Sequence, residues 1–457
     1  MKRTLLSLII GLGITSSALA DDLLQVYQQA LSSDPVVNRA QAERDAAYSG
    51  IPISRANLLP QIAGTVGYTF ASRESTQFAG SDEQNLSLIT LDSETESIDY
   101  GIDMSMSLYD HANWVGLNRA EKVAEQSDAQ LAAAMQNLIV RTVTAYFDVL
   151  RAKDNLEFVR AEKRAIERQL EQTKQRFEVG LTAITDVHEA QANYDTTVAQ
   201  EIQAENQVEV ALEGLRVISG KYHDKLFTLD TDSFSASLPT PAKVEDWLSI
   251  AEDSNLSLLV NRLALDIAKE DIAAAQAGHY PSLGLSASAG RTKNDISSDN
   301  INYTTPYLNN YSVGVNLSVP IFQGLRVSSQ TEQARYQYIA VSQDVELTYR
   351  QTVQSIRSSF NDLKAAISTI RALEQAVVSA KSALQATEAG FDVGTRTIVD
   401  VLDSTRNLFD ARRNLASARY DFIQAVVDLK QAAGSLTSED IVTINRGLEP
   451  QESKQPQ

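Results

Sequence analysis

A segment near residue 180 returns 214 residues later, and this repeat limits the folds open to the chain more than any other feature. The matching positions are Phe177 with Phe391, Gly180 with Gly394, and Asp186 with Asp400. Upstream, Leu59-Pro60 matches Tyr280-Pro281 at a spacing of 221, so the loops between these landmarks differ in length. A repeat this long is an internal duplication and not a short-period solenoid. We therefore expect two halves with the same order of elements.

Two segments in each half alternate between apolar residues and small or polar ones, which is the period of a β-strand. The apolar positions are Ile62, Val66, Tyr68 and Phe70; Tyr100, Ile102, Met104, Met106 and Leu108; Leu283, Leu285, Ala287 and Ala289; and Tyr311, Val313, Val315, Leu317 and Val319. The sequence thus predicts four strands per chain. Polar stretches from about 72 to 97 and from 291 to 308 predict loops between the paired strands.

An alternating apolar face with long polar loops is typical of an outer-membrane β-barrel. An antiparallel sheet with one buried face in a water-soluble protein has the same period, so the pattern leaves both readings open. Four strands cannot close a barrel, which needs about eight. A barrel in lipid therefore requires several chains, because open sheet edges are not tolerated there. Three chains would supply twelve strands, although the pattern does not distinguish three chains from two.

Two segments predict long helices, from about 113 to 179 and from 327 to 393, because neither contains proline and helix-favouring residues prevail. At 1.5 Å per residue such helices extend about 100 Å. Apolar residues at 4-3 spacing predict coiled-coil packing in the second. They are Ile356, Phe360, Leu363, Ile367 and Ile370, followed by Leu373, Val377, Ala380 and Leu384. Gly180 and Gly394 then reverse the chain, so each half should contain a helical hairpin. A coiled-coil rod would leave the strands unexplained.

The first twenty residues have the features of a secretory signal: Lys2 and Arg3, an apolar run, and Ala18-Leu19-Ala20 at the end. We expect the mature chain to begin at Asp21; the alternative is an uncleaved anchor, for which the apolar run is short. Removing residues 1–20, which contain two cations and no acid, changes the net charge from −19 to −21. Such a charge makes nucleic acid a poor partner.

Residue types that catalysis or metal binding would need are scarce. The chain has no cysteine, which excludes disulfides, thiol catalysis and zinc-thiolate sites. The histidines are scattered and form no HxxxH pair; they are His111, His188, His223 and His279. We therefore predict no catalytic residues, no metal, no cofactor and no enzymatic activity.

Four strings resemble the outer membrane efflux protein family, also called outer membrane factors, and the resemblance extends from about residue 22 to 434. The strings are Leu24-Gln-Val-Tyr-Gln-Gln-Ala30, Thr144-Ala-Tyr-Phe147, Ile184-Thr-Asp-Val187 and Val393-Gly-Thr-Arg-Thr-Ile-Val-Asp-Val-Leu-Asp403. The resemblance implies a mixed α and β membrane protein of Gram-negative bacteria. It would form a homotrimer with a 12-stranded outer-membrane β-barrel continuous with a 12-helix periplasmic α-barrel of coiled coils.

The same resemblance implies a passive exit for drugs, bile salts or secreted proteins, in tripartite efflux pumps and type I secretion. Its partners would be outer-membrane lipid, periplasmic adaptor (membrane fusion) proteins and, through them, inner-membrane RND, ABC or MFS pumps. The expected segments are a signal peptide (1–20), a helix (21–59), strand pair 1 with an outer loop (60–110), hairpin 1 (111–219), an equatorial region (220–247), a helix (248–279), strand pair 2 with an outer loop (280–322), hairpin 2 (323–434), and an equatorial segment with a disordered tail (435–457).

Asp400 and Asp403 are three residues apart just after the second tip, so on a helix both carboxylates share one face. Acids in the first turn are also commonly stabilised by the helix dipole, and this is the ordinary alternative. The resemblance implies that they ring the closed entrance of the channel. Threefold symmetry would gather six carboxylates, which attract cations and raise one another's pKa.

The resemblance also implies a latch in which Arg396 pairs with Asp186 and Thr185. The resemblance implies a tyrosine hydroxyl in the latch where this chain has Phe391, so that hydrogen bond is missing and the closed state would be held less firmly or by Asp392. An isolated surface salt bridge is the ordinary reading of Arg396.

The two tips match the motif on which adaptor proteins dock, where glycine lets a helical tip approach the backbone closely. The motif residues are Val179, Gly180, Leu181, Val393, Gly394 and Thr395. Read alone, each glycine only forms a turn.

Tyr109 and Phe322 follow strands at equivalent places, where aromatics suit a membrane boundary or pack against the start of a helix. The rival function is a non-porous structural or adhesive coiled-coil protein that spans the periplasm.

Overall fold

The computed structural model describes residues 21–79, 87–298 and 301–450. The predicted signal peptide and the tail from 451 to 457 lie outside these residues. Within them the helices are α1 (Leu23–Ser33), α2 (Pro35–Ala56), α3 (His111–Glu178), α4 (Ile184–Ser219), α5 (Val244–Ser254), α6 (Leu256–Ala277), α7 (Arg326–Asp392), α8 (Ile398–Ala432) and α9 (Ser438–Asn445). The strands are β1 (Gln61–Ala79), β2 (Ser87–Tyr109), β3 (Thr228–Leu229), β4 (Ser282–Ser298), β5 (Ile301–Thr304), β6 (Leu308–Ser318) and β7 (Leu448–Glu449).

The chain divides into two compact units. Of the described residues, the first unit contains 21–41, 130–259 and 348–450, and the second contains 42–129 and 260–347. The second unit holds the large sheet. The first holds the tips of the helical hairpins, the helices α4 and α8, and the small β3–β7 sheet.

Four long strands of the second unit pair antiparallel in the order β1-β2-β4-β6, and the short strand β5 also pairs with β4. The register places Gln61 opposite Ser105, and Ser282 opposite Ser318. Within the described residues β1 pairs only with β2, and β6 pairs only with β4. Both outer strands of this sheet therefore keep one edge unpaired.

The predicted loops from 72 to 97 and from 291 to 308 are wrong over most of their length. β1 and β2 stay paired from Arg73↔Ser93 to Ala79↔Ser87, and β4 continues to Ser298. Ser and Thr recur in these segments, and cross-strand hydrogen bonds between such side chains stabilise polar strands. Of the turn regions, residues 80–86 and 299–300 lie outside the described residues.

Apolar side chains of β1 and β6 are exposed at the predicted alternating positions. Val66 is 78% exposed and Val313 is also 78% exposed, and the residues that alternate with them are small or polar. An uncovered apolar sheet face of this size requires lipid or another chain to cover it.

The first part of the helix stripe predicted from 4-3 spacing belongs to the core of the first unit. Ile356, Phe360, Leu363, Ile367 and Ile370 are all buried and belong to one apolar cluster. Tyr146 and Trp247 are among its largest fully buried side chains. No helix within the described ranges combines the length and the apolar composition that a membrane crossing requires.

Each predicted helix before a strand pair is broken once, at Asp34 and at Asn255, where the prediction has a single helix. Asp34 is extended because Pro35 follows it, and its carboxylate accepts from the Val37 amide at 2.9 Å. Asn255 is extended as well, and its side chain accepts from the Leu258 amide at 2.8 Å. The two caps are 221 residues apart, the spacing of the upstream repeat.

Candidate functional site at the hairpin tips

The two hairpin tips have the same backbone geometry. After α3, Gly180 has φ 74°, and the Leu181 amide donates to the Arg176 carbonyl at 2.8 Å. After α7, Gly394 has φ 77°, and the Thr395 amide donates to the Gly390 carbonyl at 2.8 Å. Glycine terminates a helix in this way because the left-handed conformation is strained for other residues.

The residues predicted to dock adaptor proteins all lie at these tips. Val179, Leu181 and Val393 are exposed apolar side chains. A Cβ added at Gly180 or Gly394 would meet no atom within 4 Å, so the backbone there is open to an approaching group. The tips thus present apolar side chains beside bare backbone, which suits close contact with another helix end.

The first turn of α8 holds Asp400 in a capping box. The Asp400 carboxylate accepts from the Thr397 amide at 2.8 Å and from the Thr397 hydroxyl at 2.9 Å. These hydrogen bonds, backbone first, lower the pKa of Asp400, and the charge of Arg396 adds to the effect. Asp400 therefore carries its negative charge and also starts the helix.

Asp403 lies one turn further along α8 and is largely exposed. Its carboxylate is 3.8 Å from the Arg406 guanidinium, which donates to the Asn193 side chain at 2.7 Å. The i, i+3 spacing places Asp400 and Asp403 on one side of α8, as predicted.

The predicted latch residues do not meet within one chain. Across the described residues, no hydrogen bond or ion pair joins Arg396 to Asp186 or Thr185. The Thr182 hydroxyl instead donates to Asp186. Arg396 lies over Gly390, where an added Cβ would come within 2.7 Å of the Arg396 Cγ.

Phe391 has a partner that the sequence did not indicate. The Arg176 guanidinium carbon lies 4.5 Å from the centre of the Phe391 ring. Arg176 Nη1 is also 3.8 Å from Asp392 Oδ1. Phe391 packs on an apolar cluster that connects α3, α4 and α8; its members are Ile166, Leu170, Ala190, Ile398 and Leu402.

Two further links join helices of the hairpins. The buried Glu162 accepts from Arg413 at 2.8 Å, which connects α3 to α8. The Tyr420 hydroxyl donates to Asp154 at 2.5 Å. Burial raises the pKa of Asp154 to about 6, although this hydrogen bond acts in the opposite direction.

The predicted boundary aromatics lie in the second unit. Tyr109 is the last residue of β2, beside a register shift between Ser107 and Tyr109, and Phe322 lies between β6 and α7. Both side chains are exposed. This exposure is compatible with the role at a membrane boundary.

The family model described as "Outer membrane efflux protein" matches residues 26–221 and 247–435. The chain is 47% identical over 451 residues to the outer membrane protein TolC of Vibrio cholerae serotype O1, covering 98% of this chain and 99% of that protein. It is 29% identical to the proteases secretion protein PrtF of Dickeya chrysanthemi, covering 97% of this chain and 94% of the relative. The crystal structure of the outer membrane protein VceC from Vibrio cholerae is similar in fold, with a TM-score of 0.69 and 19% identity, over 90% of this chain and 96% of that one.

Proposed function

Because the chain belongs to the outer membrane efflux protein family, we propose that three copies form its channel, with twelve strands in the outer membrane and twelve helices in the periplasm. The chain is an outer-membrane channel of a Gram-negative bacterium that serves efflux or secretion. The family is one of channels and not of enzymes, and its members work with pump components. Beyond this channel role, we propose the number of copies, the gate at the periplasmic end and the docking to adaptor proteins.

The open sheet of the second unit carries the proposal of a shared barrel. Its edge strands β1 and β6 each leave one row of backbone groups unpaired within the described residues. Lipid offers no hydrogen bonds to such groups, so an edge must pair with the edge of another copy. Four strands per chain are too few to close alone, and three chains reach a size that leaves an open interior. Tyr109 and Phe322 would lie at the periplasmic boundary of this barrel.

The acidic face of α8 supports a gate at the periplasmic end. In a threefold assembly, Asp400 and Asp403 of each copy would meet around one constriction and form a ring of six carboxylates. Such a ring attracts cations and binds multivalent cations most strongly. Since Arg396 finds neither Asp186 nor Thr185 within its own chain, the latch would join neighbouring copies, and the gate would open when the inner helices rotate outward.

The tips support docking to the helical ends of periplasmic adaptor proteins. Both Val-Gly pairs are exposed, and the glycine backbone is uncovered. Adaptors would connect the channel to RND, ABC or MFS pumps in the inner membrane. PrtF is named for secretion of proteases, so secreted proteins are proposed as cargo beside drugs and bile salts. The pump selects the cargo, because the channel only provides the exit.

Planar-bilayer recording of the purified protein tests this function. A folded oligomer that conducts in discrete steps, with a mass of three chains by native mass spectrometry, is the expected result. A folded oligomer that adds no conductance at any voltage would support the non-porous structural role instead. A conducting assembly of two or four chains would overturn only the threefold arrangement.

A further inference from the structure

One side chain joins the ends of α3 and α7. Arg176 is the third residue from the end of α3, while Phe391 and Asp392 are the last two residues of α7. Its guanidinium carbon is 4.5 Å from the Phe391 ring centre, and Nη1 is 3.8 Å from the Asp392 carboxylate. Both contacts fall within the first unit, one turn before the glycine at each tip.

The aromatic contact is the firmer of the two. The Arg176 side chain is only 28% exposed, and Phe391 is half-buried against the apolar cluster between the hairpins. A planar guanidinium stacks on an aromatic face, and the attraction grows as water is removed from it. The Asp392 side chain is 72% exposed, so its pairing with Arg176 is weak and is screened by salt.

We propose that Arg176 is a gating residue, which holds the ends of α3 and α7 together in the closed channel by stacking on Phe391 and pairing with Asp392. This inference rests on the proposed gate, since it requires that opening separates the helices at the tips.

The position of Arg176 also couples docking to opening. Val179 follows Arg176 by three residues, and Val393 directly follows Asp392. An adaptor hairpin seated on the exposed Val-Gly tips would therefore act on both ends of the contact. Pulling the two tips apart lengthens the stacking distance, which removes most of its attraction.

Single-channel recording at neutral pH tests the inference with Arg176→Gln, Phe391→Leu and Asp392→Asn. The first two variants should raise the fraction of time spent open by roughly five- to tenfold, because each removes the stacking. Asp392→Asn should raise it less, and only at low salt. The double variant Arg176→Gln/Phe391→Leu should open no more often than either single variant, since both remove the same contact.

Lys174→Gln is the matched control, because Lys174 is an exposed cation two residues earlier on the same helix. It should behave as the wild type. A variant that lacks the wild-type helix content by circular dichroism is replaced by Arg176→Lys, which should open more often than the wild type.

A conducting wild type whose Arg176 and Phe391 variants open no more often than Lys174→Gln would overturn the gating role and leave the channel intact. A wild type that never conducts would instead overturn the proposed function itself. If Lys174→Gln and Arg176→Gln both open more often than the wild type and to the same extent, then loss of any positive charge near the tip suffices. That result would also overturn the specific role of Arg176.

Discussion

Thr397 and Asp400 cap the start of α8 reciprocally, with the Thr397 amide donating to the Asp400 carboxylate at 2.8 Å and the Asp400 amide donating to the Thr397 hydroxyl at 3.3 Å. The second tip therefore depends on a residue that we also place in the acidic ring. Any substitution of Asp400 changes the charge of the ring and the start of the helix together. Asp403, one turn later, takes no part in the cap and can be changed without loosening it.

Asp400→Ala should loosen the first turn of α8, because it removes the acceptor for the Thr397 amide. Thr397→Ala should have the same effect, and Asp403→Ala should have none. Amide hydrogen exchange at residues 397–401 measures this, and we expect severalfold faster exchange in the first two variants. Equal loosening by Asp403→Ala would contradict the role of the cap. Asp400→Asn keeps an acceptor oxygen and so separates charge from capping.

Left-handed glycines should respond to alanine according to what surrounds them. Gly434 has φ 71°, and a Cβ there would overlap the Ser254 carbonyl, so Gly434→Ala should destabilise the first unit by more than about 2 kcal/mol. Gly394→Ala meets no atom and should cost on the order of 1 kcal/mol of backbone strain. Thermal unfolding of both variants measures the difference.

Binding of an adaptor hairpin should be lost when a tip glycine is replaced and kept when a matched control glycine is replaced. Gly394→Ala should keep the fold but lose binding to a purified adaptor hairpin, because the added methyl group blocks close approach. Gly324→Ala has a similar φ of 60° in open space just before α7, and it should keep both the fold and the binding. Undiminished adaptor binding by Gly394→Ala and Gly180→Ala would show that docking does not use these positions.

Asp154 should make stability depend on pH between about 4 and 6. Burial raises the pKa of Asp154 in the folded chain to about 6, above the ordinary aspartate value of 3.8, so the folded chain binds this proton more tightly than the unfolded chain. The resulting stability is complete below the unfolded value and is lost as the pH rises through about 6. Asp154→Asn should remove this loss, on the order of 2 kcal/mol at pH 7.

Urea unfolding at pH 4.5 and pH 7.5 checks the effect of Asp154. The expected result is a smaller pH difference in Asp154→Asn than in the wild type and a more stable variant at pH 7.5. Glu374→Gln, which neutralises an exposed carboxylate on α7, should leave the pH difference unchanged. If both variants change the pH difference alike, overall charge and not burial of Asp154 is responsible.

The parts of the fold set by local patterns could be predicted from sequence. The residues at 4-3 spacing from Ile356 to Ile370 are buried as predicted, because this spacing places them all on one face of a single helix. The strands near Val66 and Val313 alternate as expected, but their polar extensions past residue 72 were missed, since Ser and Thr in a strand resemble a loop when no apolar face marks them. The helix breaks at Asp34 and Asn255 depend on a following proline or on a capping side chain. The spacing of apolar residues does not reveal them.

At the candidate site, the positions of the tips could be predicted from Gly180 and Gly394. The contacts of long side chains could not be predicted from the sequence. Arg176 reaches Phe391 across two helices, and such a contact depends on how the helices pack. Arg396 and Asp186 are near their respective tips as expected, but a single chain does not bring them together. Contacts between copies lie beyond any pattern within one chain.

Block of single-channel current by a trivalent cation tests the acidic gate most directly. At neutral pH, we expect block of the wild type, at least tenfold weaker block of Asp403→Asn, and no block of the double variant Asp400→Asn/Asp403→Asn. Conductance itself should remain in all three proteins. A wild type that ignores the cation, or a double variant that is blocked as strongly as the wild type, would contradict the assignment of these aspartates to the constriction.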